Sequence, residues 1–363
     1  MSDQPPAIDA SRSASPARPL IGITLGDPCG IGPEVIVKAL SDPDIRSLGR
    51  FVIYGIDDVL VGAADAASIR PFWFTLPARE ALRIDTGVVV VDFNEFAAGF
   101  FLRPRASAEG GRASLRFVDV AVEAVRARKL DAVVTGPIHK TSWQLAGCRF
   151  PGHTEKLADA CETKRVTMAF VGGGMRLALV SAHVGFFELR NQFNLGLVFQ
   201  TIEHMHDALV NWFGIDSPRI AVAGLNPHAG ENGRFGDEER RVIEPAMQMA
   251  RNVGIEVDGP FPADTLFTPS RRSRFDGIIA MYHDQGLIPL KMLAFDTAVN
   301  LTLGLPLIRT SPDHGTAFDI AGTSQADPGS MKEAIRLACQ LATRGGATTE
   351  PQRHDVTAAP STL

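Results

Sequence analysis

The sequence lacks the features that mark several large classes of protein. Its 363 residues contain four cysteines, which lie far apart and form no CxxC pair, so we expect reduced thiols in a cytosolic protein. No stretch reaches the roughly 20 apolar residues that a membrane-spanning helix needs. Residues 1–18 have no apolar core, so we expect neither a membrane anchor nor a signal peptide.

The sequence also has no excess of positively charged residues. The net charge of −5 leaves no basic field, which argues against nucleic acid as a main partner. No short-period repeat is visible, which excludes a solenoid. The chain does have 45% apolar and 21% charged residues, as soluble globular proteins do. Its length exceeds one ordinary core, so we expect two domains, or two lobes that share a sheet.

Strand and helix patterns alternate along most of the chain, which predicts an α/β fold with a parallel or mixed sheet flanked by helices. We assign residues 19–150 to a first lobe, to which about 300–344 return, and 151–299 to a second lobe that carries the histidines described next. Residues 1–18 and 345–363 are predicted to be disordered tails. The predicted strands are 20–25, 51–54, 88–91, 132–135, 166–171, 177–181, 220–224 and 278–281, and the main predicted helices are 33–40, 114–129, 195–212, 237–252 and 330–342.

Three histidines share one position relative to a predicted strand. His183 ends LALVSAH, His228 lies in VAGLNPHAGE and His283 in GIIAMYHDQG, each in the loop just after an apolar run. Ligands of open α/β sheets bind outside the carboxyl ends of the strands. Any one of these histidines alone is better explained as a structural residue, but the three together predict a divalent metal site. Three protein ligands leave a coordination position open, which is typical of a catalytic metal.

No complete GxGxxG is present, so the sequence offers no Rossmann fingerprint. The segment GDPCGIGPE, residues 26–34, joins the first strand to a helix. Its glycines permit a tight turn, and the amides at the helix start could hold an anion. Both interpretations stay open.

The segment PGHTE, residues 151–155, presents His153 and Thr154 where a helical pattern begins. A hydroxyl, an imidazole and free helix amides together suit a phosphate or a carboxylate. The alternative is that Thr154 only caps the helix.

Cationic side chains follow the third histidine in a region rich in leucine, isoleucine and proline. Lys291 and Arg309, with Asn300 between them, suit an anionic substrate, and a lysine whose pKa is lowered can accept a proton. Asp264 in PADTLF is either a turn residue or a proton acceptor and ammonium partner. Three other histidines, His204, His206 and His354, are predicted to lie on the surface.

These motifs resemble, with high specificity, those of the 4-hydroxythreonine-4-phosphate dehydrogenase family of vitamin B6 synthesis. The resemblance runs from about Leu20 to Ala342 and rests on GDPCGIGPE, VTGPIHK, FPGHTE, GLNPHAGENG, GPFPADTLF, AMYHDQGLIPLK and VNLTLGLPLIRTSPDHGTAFDIAG. It implies two αβα lobes similar to those of the isocitrate and isopropylmalate dehydrogenases, with the active site between them. It also implies a homodimer whose active site is shared, with metal ligands from both subunits.

The resemblance carries over residue by residue to the positions chosen above. It implies metal ligation by His183, His228 and His283, substrate binding by His153, Thr154, Lys291, Asn300 and Arg309, and a place near the substrate for Asp264. DHGTAFDIAG looks like the adenosine-binding loop of isopropylmalate dehydrogenase, which implies NAD binding by His314, Gly315 and Asp319. An aspartate there disfavours a 2′-phosphate, so NAD is expected over NADP. The metal is expected to be zinc, cobalt, magnesium, manganese or nickel.

The expected reaction is NAD- and metal-dependent oxidation, with decarboxylation, of 4-phosphooxy-threonine to 3-amino-2-oxopropyl phosphate. His139 in VTGPIHK, together with SAHVGFFEL, GENGRFGDEE and GLIPLKML, looks more like a second branch of the family, which acts on other four-carbon phosphorylated hydroxy acids such as 4-phosphoerythronate. A third branch oxidises the terephthalate cis-dihydrodiol, but it lacks the PGHTE signature. From a different class, a metal-dependent phosphohydrolase also uses three histidines and an open metal position.

Overall fold

The structure is a computed structural model that describes residues 18–77, 87–99 and 104–345. Apart from one residue at each inner end, both tails predicted to be disordered lie outside these ranges, as does His354. The four cysteines are all unpaired. No helix in the described ranges is long and apolar enough to cross a membrane.

Twelve strands within these ranges form a single sheet in the order β3-β4-β2-β1-β5-β12-β11-β6-β7-β10-β8-β9. Neighbours run parallel at both ends of this order and antiparallel around β11 and β6, so the predicted α/β fold with a mixed sheet is confirmed. The strands are β1 Leu20–Thr24, β2 Arg50–Gly55, β3 Phe74–Pro77, β4 Val88–Asp92, β5 Ala132–Thr135, β6 Thr167–Gly172, β7 Met175–Leu179, β8 Ile220–Ala223, β9 Val257–Phe261, β10 Gly277–Ala280, β11 Val299–Leu303 and β12 Arg309–Pro312.

Helices connect most of these strands. The long ones, α4, α8 and α13, pack against the sheet. The helices are α1 Gly32–Ser41, α2 Pro43–Ser47, α3 Asp57–Ala66, α4 Ala108–Arg126, α5 Lys140–Leu145, α6 His153–Ala160, α7 Leu189–Gln192, α8 Leu195–Asn211, α9 Glu244–Asn252, α10 Ala263–Leu266, α11 Pro269–Arg272, α12 His283–Ala294 and α13 Gly329–Gly345.

The chain crosses the middle of the sheet more than once. β11 pairs with both β6 and β12, and β12 pairs with β5, so residues 299–312 join the strands of the first half of the chain to those of the second. The C-terminal helix α13 packs against α1, β5 and β12. Residues far apart in sequence therefore meet where β5, β12 and β11 lie side by side.

Helix α4 begins six residues earlier than the sequence pattern predicted, at Ala108 rather than Ser114. Ser107 caps it, its hydroxyl accepting a hydrogen bond from the Gly110 amide at 3.0 Å. Gly110 lies against Asp27, where a Cβ would come within 2.5 Å of the carboxylate. Two consecutive glycines argue against a helix by propensity, but close packing of this first turn requires them.

His204 corrects a prediction, because it is not a surface residue. It lies on α8, its Nδ1 shares a 2.8 Å hydrogen bond with the Thr167 hydroxyl, and its ring packs against Gly304, where a Cβ would come within 2.5 Å of it. Burial lowers the pKa of His204 to about 4. The helical pattern predicted that His204 faces solvent. The sequence could not show that the loop after β11 covers that side of α8.

Candidate active site

A cavity of about 420 Å³ lies where the middle strands of the sheet meet the start of α6. It brings together residues from distant parts of the chain. Four of the five predicted substrate residues line it, namely His153, Thr154, Asn300 and Arg309, and so do Thr135, Lys140, Glu155, His183 and His314.

Arg309 lies at the floor of this cavity with 4% of its surface exposed. Its guanidinium donates hydrogen bonds to the hydroxyls of Thr135 and Thr302 and to the Asn300 side-chain oxygen. All three acceptors are neutral, and among the described residues no carboxylate forms an ion pair with Arg309. Burial lowers the pKa of Arg309 to about 10, so it is still a cation at neutral pH. An uncompensated buried charge is costly, and an anionic ligand in the cavity would offset it.

His153 begins α6 beside this charge. Its Nε2 atom is buried and has no hydrogen-bond partner in the described chain, while its ring contacts Trp143 edge to face at 5.3 Å between centroids. Burial, and then the charge of Arg309, hold the pKa of His153 well below its ordinary value, so the imidazole is neutral and can donate one hydrogen bond to a ligand.

The start of α6 shows that Thr154 is not a helix cap. The helix begins at His153 and its N-cap is Gly152, which supplies no side-chain acceptor. The first-turn amides therefore lack the partner that a serine or aspartate cap would give them. With Thr154 lining the cavity, this favours the anion-binding interpretation of PGHTE.

The three histidine loops leave three adjacent strands. β10 pairs in parallel with β7 on one side and with β8 on the other, so the loops carrying His183, His283 and His228 start at the same edge of the sheet. The rings of His183 and His283 lie 5.9 Å apart between centroids. Both line a second cavity of about 320 Å³, and His183 also lines the first, so the two cavities adjoin at this residue.

Burial and neighbouring polar groups act on the two histidines in different ways. Burial, followed by the charges of Lys140 and His283, lowers the pKa of His183, against a smaller opposing effect of Glu155. His283 Nδ1 lies 2.7 Å from the Asp284 carboxylate. A carboxylate that accepts the Nδ1 proton fixes the tautomer and leaves Nε2 free to bind a metal.

His228 lies apart from this pair within the single chain. It is exposed and opens a turn in which five consecutive residues, His228 to Asn232, have left-handed backbone angles with φ between 41° and 78°. Such conformations cost energy for residues other than glycine and concentrate at functional sites. Within the part of the chain that the structure describes, no group of three or more histidine, cysteine, aspartate or glutamate side chains is arranged to hold a metal. Within the described chain, the third predicted ligand is therefore not beside His183 and His283.

Neither predicted proton acceptor lines the cavity of its own chain. Lys291, on α12, forms an ion pair with Asp313 at 2.8 Å, and the two neighbours of Asp313, Pro312 and His314, line the cavity. Lys291 thus lies at its edge. Asp264 is exposed at the start of α10, which packs against the turn that carries His228.

The predicted NAD residues divide between two environments. His314 lines the substrate cavity, and its Nε2 is buried without a partner in the described chain. Gly315 and Asp319 are exposed. Between them, Phe318 packs against His139 at 4.9 Å between ring centroids, which joins this loop to the VTGPIHK loop.

The glycine-rich segment 26–34 is a tight turn closed by backbone hydrogen bonds. Asp27 donates to the Pro137 carbonyl, Gly30 to that of Asp27 and Ile31 to that of Thr316, each at 2.9 Å. The anion-binding interpretation depends on the first-turn amides of α1, which begins at Gly32 and has no side-chain cap. Both interpretations of this segment therefore stay open.

Four polar residues of the cavity were not predicted from the sequence, namely Lys140, Glu155, Thr135 and Ser311. Lys140, Glu155 and Ser311 stand in motifs that were singled out, while Thr135 ends a predicted strand. Their position in those motifs was the available signal. Thr135 was not recognised because its role depends on Arg309, which lies 174 residues away and donates to it.

Comparisons with known proteins agree with this geometry. The family model described as "Pyridoxal phosphate biosynthetic protein PdxA" matches residues 50–338. The chain is 44% identical over 331 residues to the 4-hydroxythreonine-4-phosphate dehydrogenase of Desulforapulum autotrophicum, covering 91% of this chain and 97% of that one. It is 44% identical over 329 residues to the D-threonate 4-phosphate dehydrogenase of Cupriavidus necator, covering 90% and 98%.

A solved structure shows the same similarity in three dimensions. The crystal structure of 4-hydroxythreonine-4-phosphate dehydrogenase from Klebsiella pneumoniae superposes with a TM-score of 0.81 at 38% identity, covering 90% of this chain and 99% of that one. The family predicted from the motifs is thereby confirmed, and the chain belongs to the PdxA family of dehydrogenases.

Proposed function

We propose that this protein catalyses, in the cytosol, the NAD- and metal-dependent oxidation of 4-phosphooxy-threonine. The product would lose carbon dioxide to give 3-amino-2-oxopropyl phosphate. The observation that carries the proposal is the buried Arg309, whose hydrogen-bond acceptors are all neutral, at the floor of a cavity of a size that suits a small phosphorylated substrate.

The phosphate would bind where the donors converge. Arg309 supplies a planar fork of donors and a full charge, and the neutral His153 supplies one N–H. The first-turn amides of α6 and the Thr154 hydroxyl would complete the site. These groups hold one end of the substrate, so that its secondary alcohol lies toward His183, where the two cavities adjoin.

The residues present fit a metal and NAD in part. When bound, a divalent metal would supply Lewis acidity to the alcohol and to the keto acid, and NAD would accept the hydride. His183 and His283 would hold the metal, with His283 oriented by Asp284. Asp319 is exposed and forms no ion pair within the described residues, so its carboxylate is available for ribose hydroxyls beside His314 and Gly315.

Lys291 is the proposed proton acceptor for the alcohol. An ion pair with Asp313 holds the amine at the edge of the cavity. Rotation of the long lysine side chain would bring the amine toward the substrate. Asp264 is the alternative. Since it lies beside the His228 turn and away from the cavity of its own chain, it would have to act in the active site of a second copy.

A homodimer would supply the missing ligand. Of the ten exposed large apolar side chains in the described ranges, seven come a few residues after His183, His228 or His283, and monomers rarely expose large contiguous apolar patches. Ile288 and Met292 on α12 and Phe295 directly after it share one face. We place the second copy over this surface, which brings His228 and Asp264 of each chain to the metal site of the other. The seven residues are Phe186, Phe187, Phe235, Ile288, Met292, Leu293 and Phe295.

Oxidation of D-threonate 4-phosphate or 4-phosphoerythronate is the second candidate. The Cupriavidus necator relative, whose name specifies the first of these compounds, is as similar to this chain as the Desulforapulum autotrophicum relative, at 44% identity each. These substrates carry a hydroxyl where 4-phosphooxy-threonine carries an amine. Both Glu155 and Lys140 line the cavity. The Glu155 carboxylate would attract an ammonium group of the substrate, whereas the Lys140 ammonium would repel it. The phosphohydrolase alternative is not supported, because the family consists of dehydrogenases.

To test this proposal, the zinc-loaded protein is incubated with NAD and each of four substrates in parallel, and NADH formation is followed by absorbance. The substrates are 4-phosphooxy-threonine, D-threonate 4-phosphate, 4-phosphoerythronate and the terephthalate cis-dihydrodiol. We expect the highest kcat/KM on the first, with carbon dioxide as a second product. A higher value on another phosphorylated acid would assign the second candidate. NADH formation on none of the four would refute the proposal.

A further inference from the structure

Gln285 joins two of the histidine loops. It lies two residues after His283 in the first turn of α12, and both ends of its amide are used. The side-chain oxygen accepts from the Met281 amide at 2.7 Å, and the side-chain nitrogen donates to the Gly224 carbonyl at 2.7 Å. The two bonds are short and fix the amide in one orientation.

The two backbone groups that it binds lie at the roots of different loops. Met281 follows β10 and leads directly to His283. Gly224 follows β8 and leads to the turn of His228, and its own amide donates to Phe261 at 2.8 Å. No room exists for a side chain at Gly224, because a Cβ would come within 2.8 Å of Ala229. The start of the His228 turn is therefore clamped between β9 and Gln285.

Helix capping explains only one of these bonds. A glutamine in the first turn of a helix often reaches back to a backbone amide just before it, and the bond to Met281 is of this kind. The bond to Gly224 crosses to another strand, 61 residues away in sequence. A residue that only started the helix would not need that second bond.

We propose that Gln285 is a positioning residue that fixes the His228 turn to the His283 loop of the same chain, so that in the proposed dimer the turn reaches the metal site of the second copy and tunes its metal affinity. The inference rests on the proposed function, because it takes both histidines as metal ligands. Partners outside the first coordination sphere of a metal typically change its affinity 10- to 100-fold when they are removed.

The test uses Gln285→Glu in the full-length protein. The carboxylate keeps an acceptor for the Met281 amide and suits a helix start, but it cannot donate to the Gly224 carbonyl and repels it. We expect the zinc Kd, measured by competition with a chelating dye, to rise at least 10-fold. Hydrogen exchange in a peptide covering residues 224–236 of the metal-free protein should become faster. The matched control is Gln248→Glu on the exposed face of α9, which should change neither quantity.

A double-mutant cycle separates positioning from general destabilisation. If Gln285 acts through His228, Gln285→Glu adds less than twofold to the zinc Kd in a His228→Ala background. Equal zinc affinity of wild type and Gln285→Glu, additive effects in the cycle, or unchanged hydrogen exchange would each overturn the inference while leaving the proposed function intact. Absence of zinc binding by the wild type would overturn both.

Discussion

The guanidinium of Arg309 donates twice to the hydroxyl of Thr135, from Nη2 at 2.6 Å and from Nε at 3.1 Å. The pair joins the start of β12 to the end of β5 at the floor of the cavity. Because a threonine hydroxyl orients the arginine without neutralising it, the positive charge remains uncompensated. An aspartate in place of Thr135 would neutralise Arg309 and remove the charge on which the proposed phosphate site depends.

Replacing Arg309 by lysine should weaken substrate binding more than folding. The variant Arg309→Lys keeps the charge but loses the planar fork, and hydrogen bonds to charged groups contribute about 1.5–3 kcal/mol. We expect KM for the phosphorylated substrate to rise 10- to 100-fold, with a smaller change in kcat. Steady-state kinetics would check this, with the exposed Arg112→Lys on α4 as control. An unchanged KM would show that the phosphate binds elsewhere.

Metal removal should abolish turnover without unfolding the protein. The variant Asp284→Ala loses the carboxylate that holds His283 Nδ1, so we expect zinc affinity to fall about 10-fold and activity to return at saturating zinc. A chelator titration followed by zinc addition measures both effects, and Asp65→Ala on the surface of α3 is the control. Full activity of the metal-free protein would contradict the metal site.

Acid should destabilise the fold through His204. Its pKa is about 4 in the folded protein against an ordinary 6.5, so between these values the unfolded chain binds the proton and the folded one does not. The stability associated with His204 is present above pH 6.5 and is lost as the pH falls to 4, by about 3 kcal/mol in all.

The variant His204→Gln isolates this contribution. Urea unfolding at about pH 7 and about pH 5 should show a smaller fall in the free energy of unfolding for the variant than for the wild type. Part of the fall will remain, because burial also lowers the pKa of His153. An equal fall in both proteins would mean that His204 takes up no proton on unfolding.

Two glycine-to-alanine substitutions inside helices should have opposite effects. At Gly111 a Cβ would overlap the Ser142 carbonyl oxygen, whereas at Gly62 a Cβ would meet nothing within 4 Å. We expect Gly111→Ala to destabilise the fold by about 1–3 kcal/mol through overpacking. Gly62→Ala should stabilise it by up to about 1 kcal/mol through helix propensity. Thermal unfolding measures both, and changes of the same sign would contradict the described packing.

A charge on the exposed apolar face of α12 should dissociate the proposed dimer. Met292 is 82% exposed within the single chain, so Met292→Lys should leave the monomer folded and weaken dimerisation at least 10-fold, since central apolar anchors dominate interfaces. Sedimentation velocity at several concentrations measures this. Leu145→Lys, also exposed but away from the histidine loops, is the control. A monomeric wild type would refute the dimer.

The sequence was most informative where local chemistry decides structure. Alternating strand and helix patterns predicted eight of the twelve described strands. They did not predict β3, β9, β11 and β12. The stretch 299–312 is rich in apolar residues and contains Asn300 and Arg309, so it was interpreted as part of the binding site and not as strands. The structure shows two strands there, and these strands place Asn300 and Arg309 at the cavity.

Sequence position alone could not show which site residues meet. The motifs predicted one site of three histidines, and the structure places two of them, His183 and His283, together because β7 and β10 are neighbours. It also leaves His228 outside that pair, a separation that no spacing in the sequence reveals.

The amino-acid sequence by itself determined the fold class and the family, and it selected most of the polar residues of the candidate site, because periodicity, turn chemistry and motif composition are local properties. Only the tertiary structure decided how those residues work together. It showed that Arg309 has neutral partners, that Gln285 bridges two loops and that His204 is buried. These facts depend on strand order, which brings distant segments into contact and sets the burial on which charge, pKa and hydrogen bonding depend.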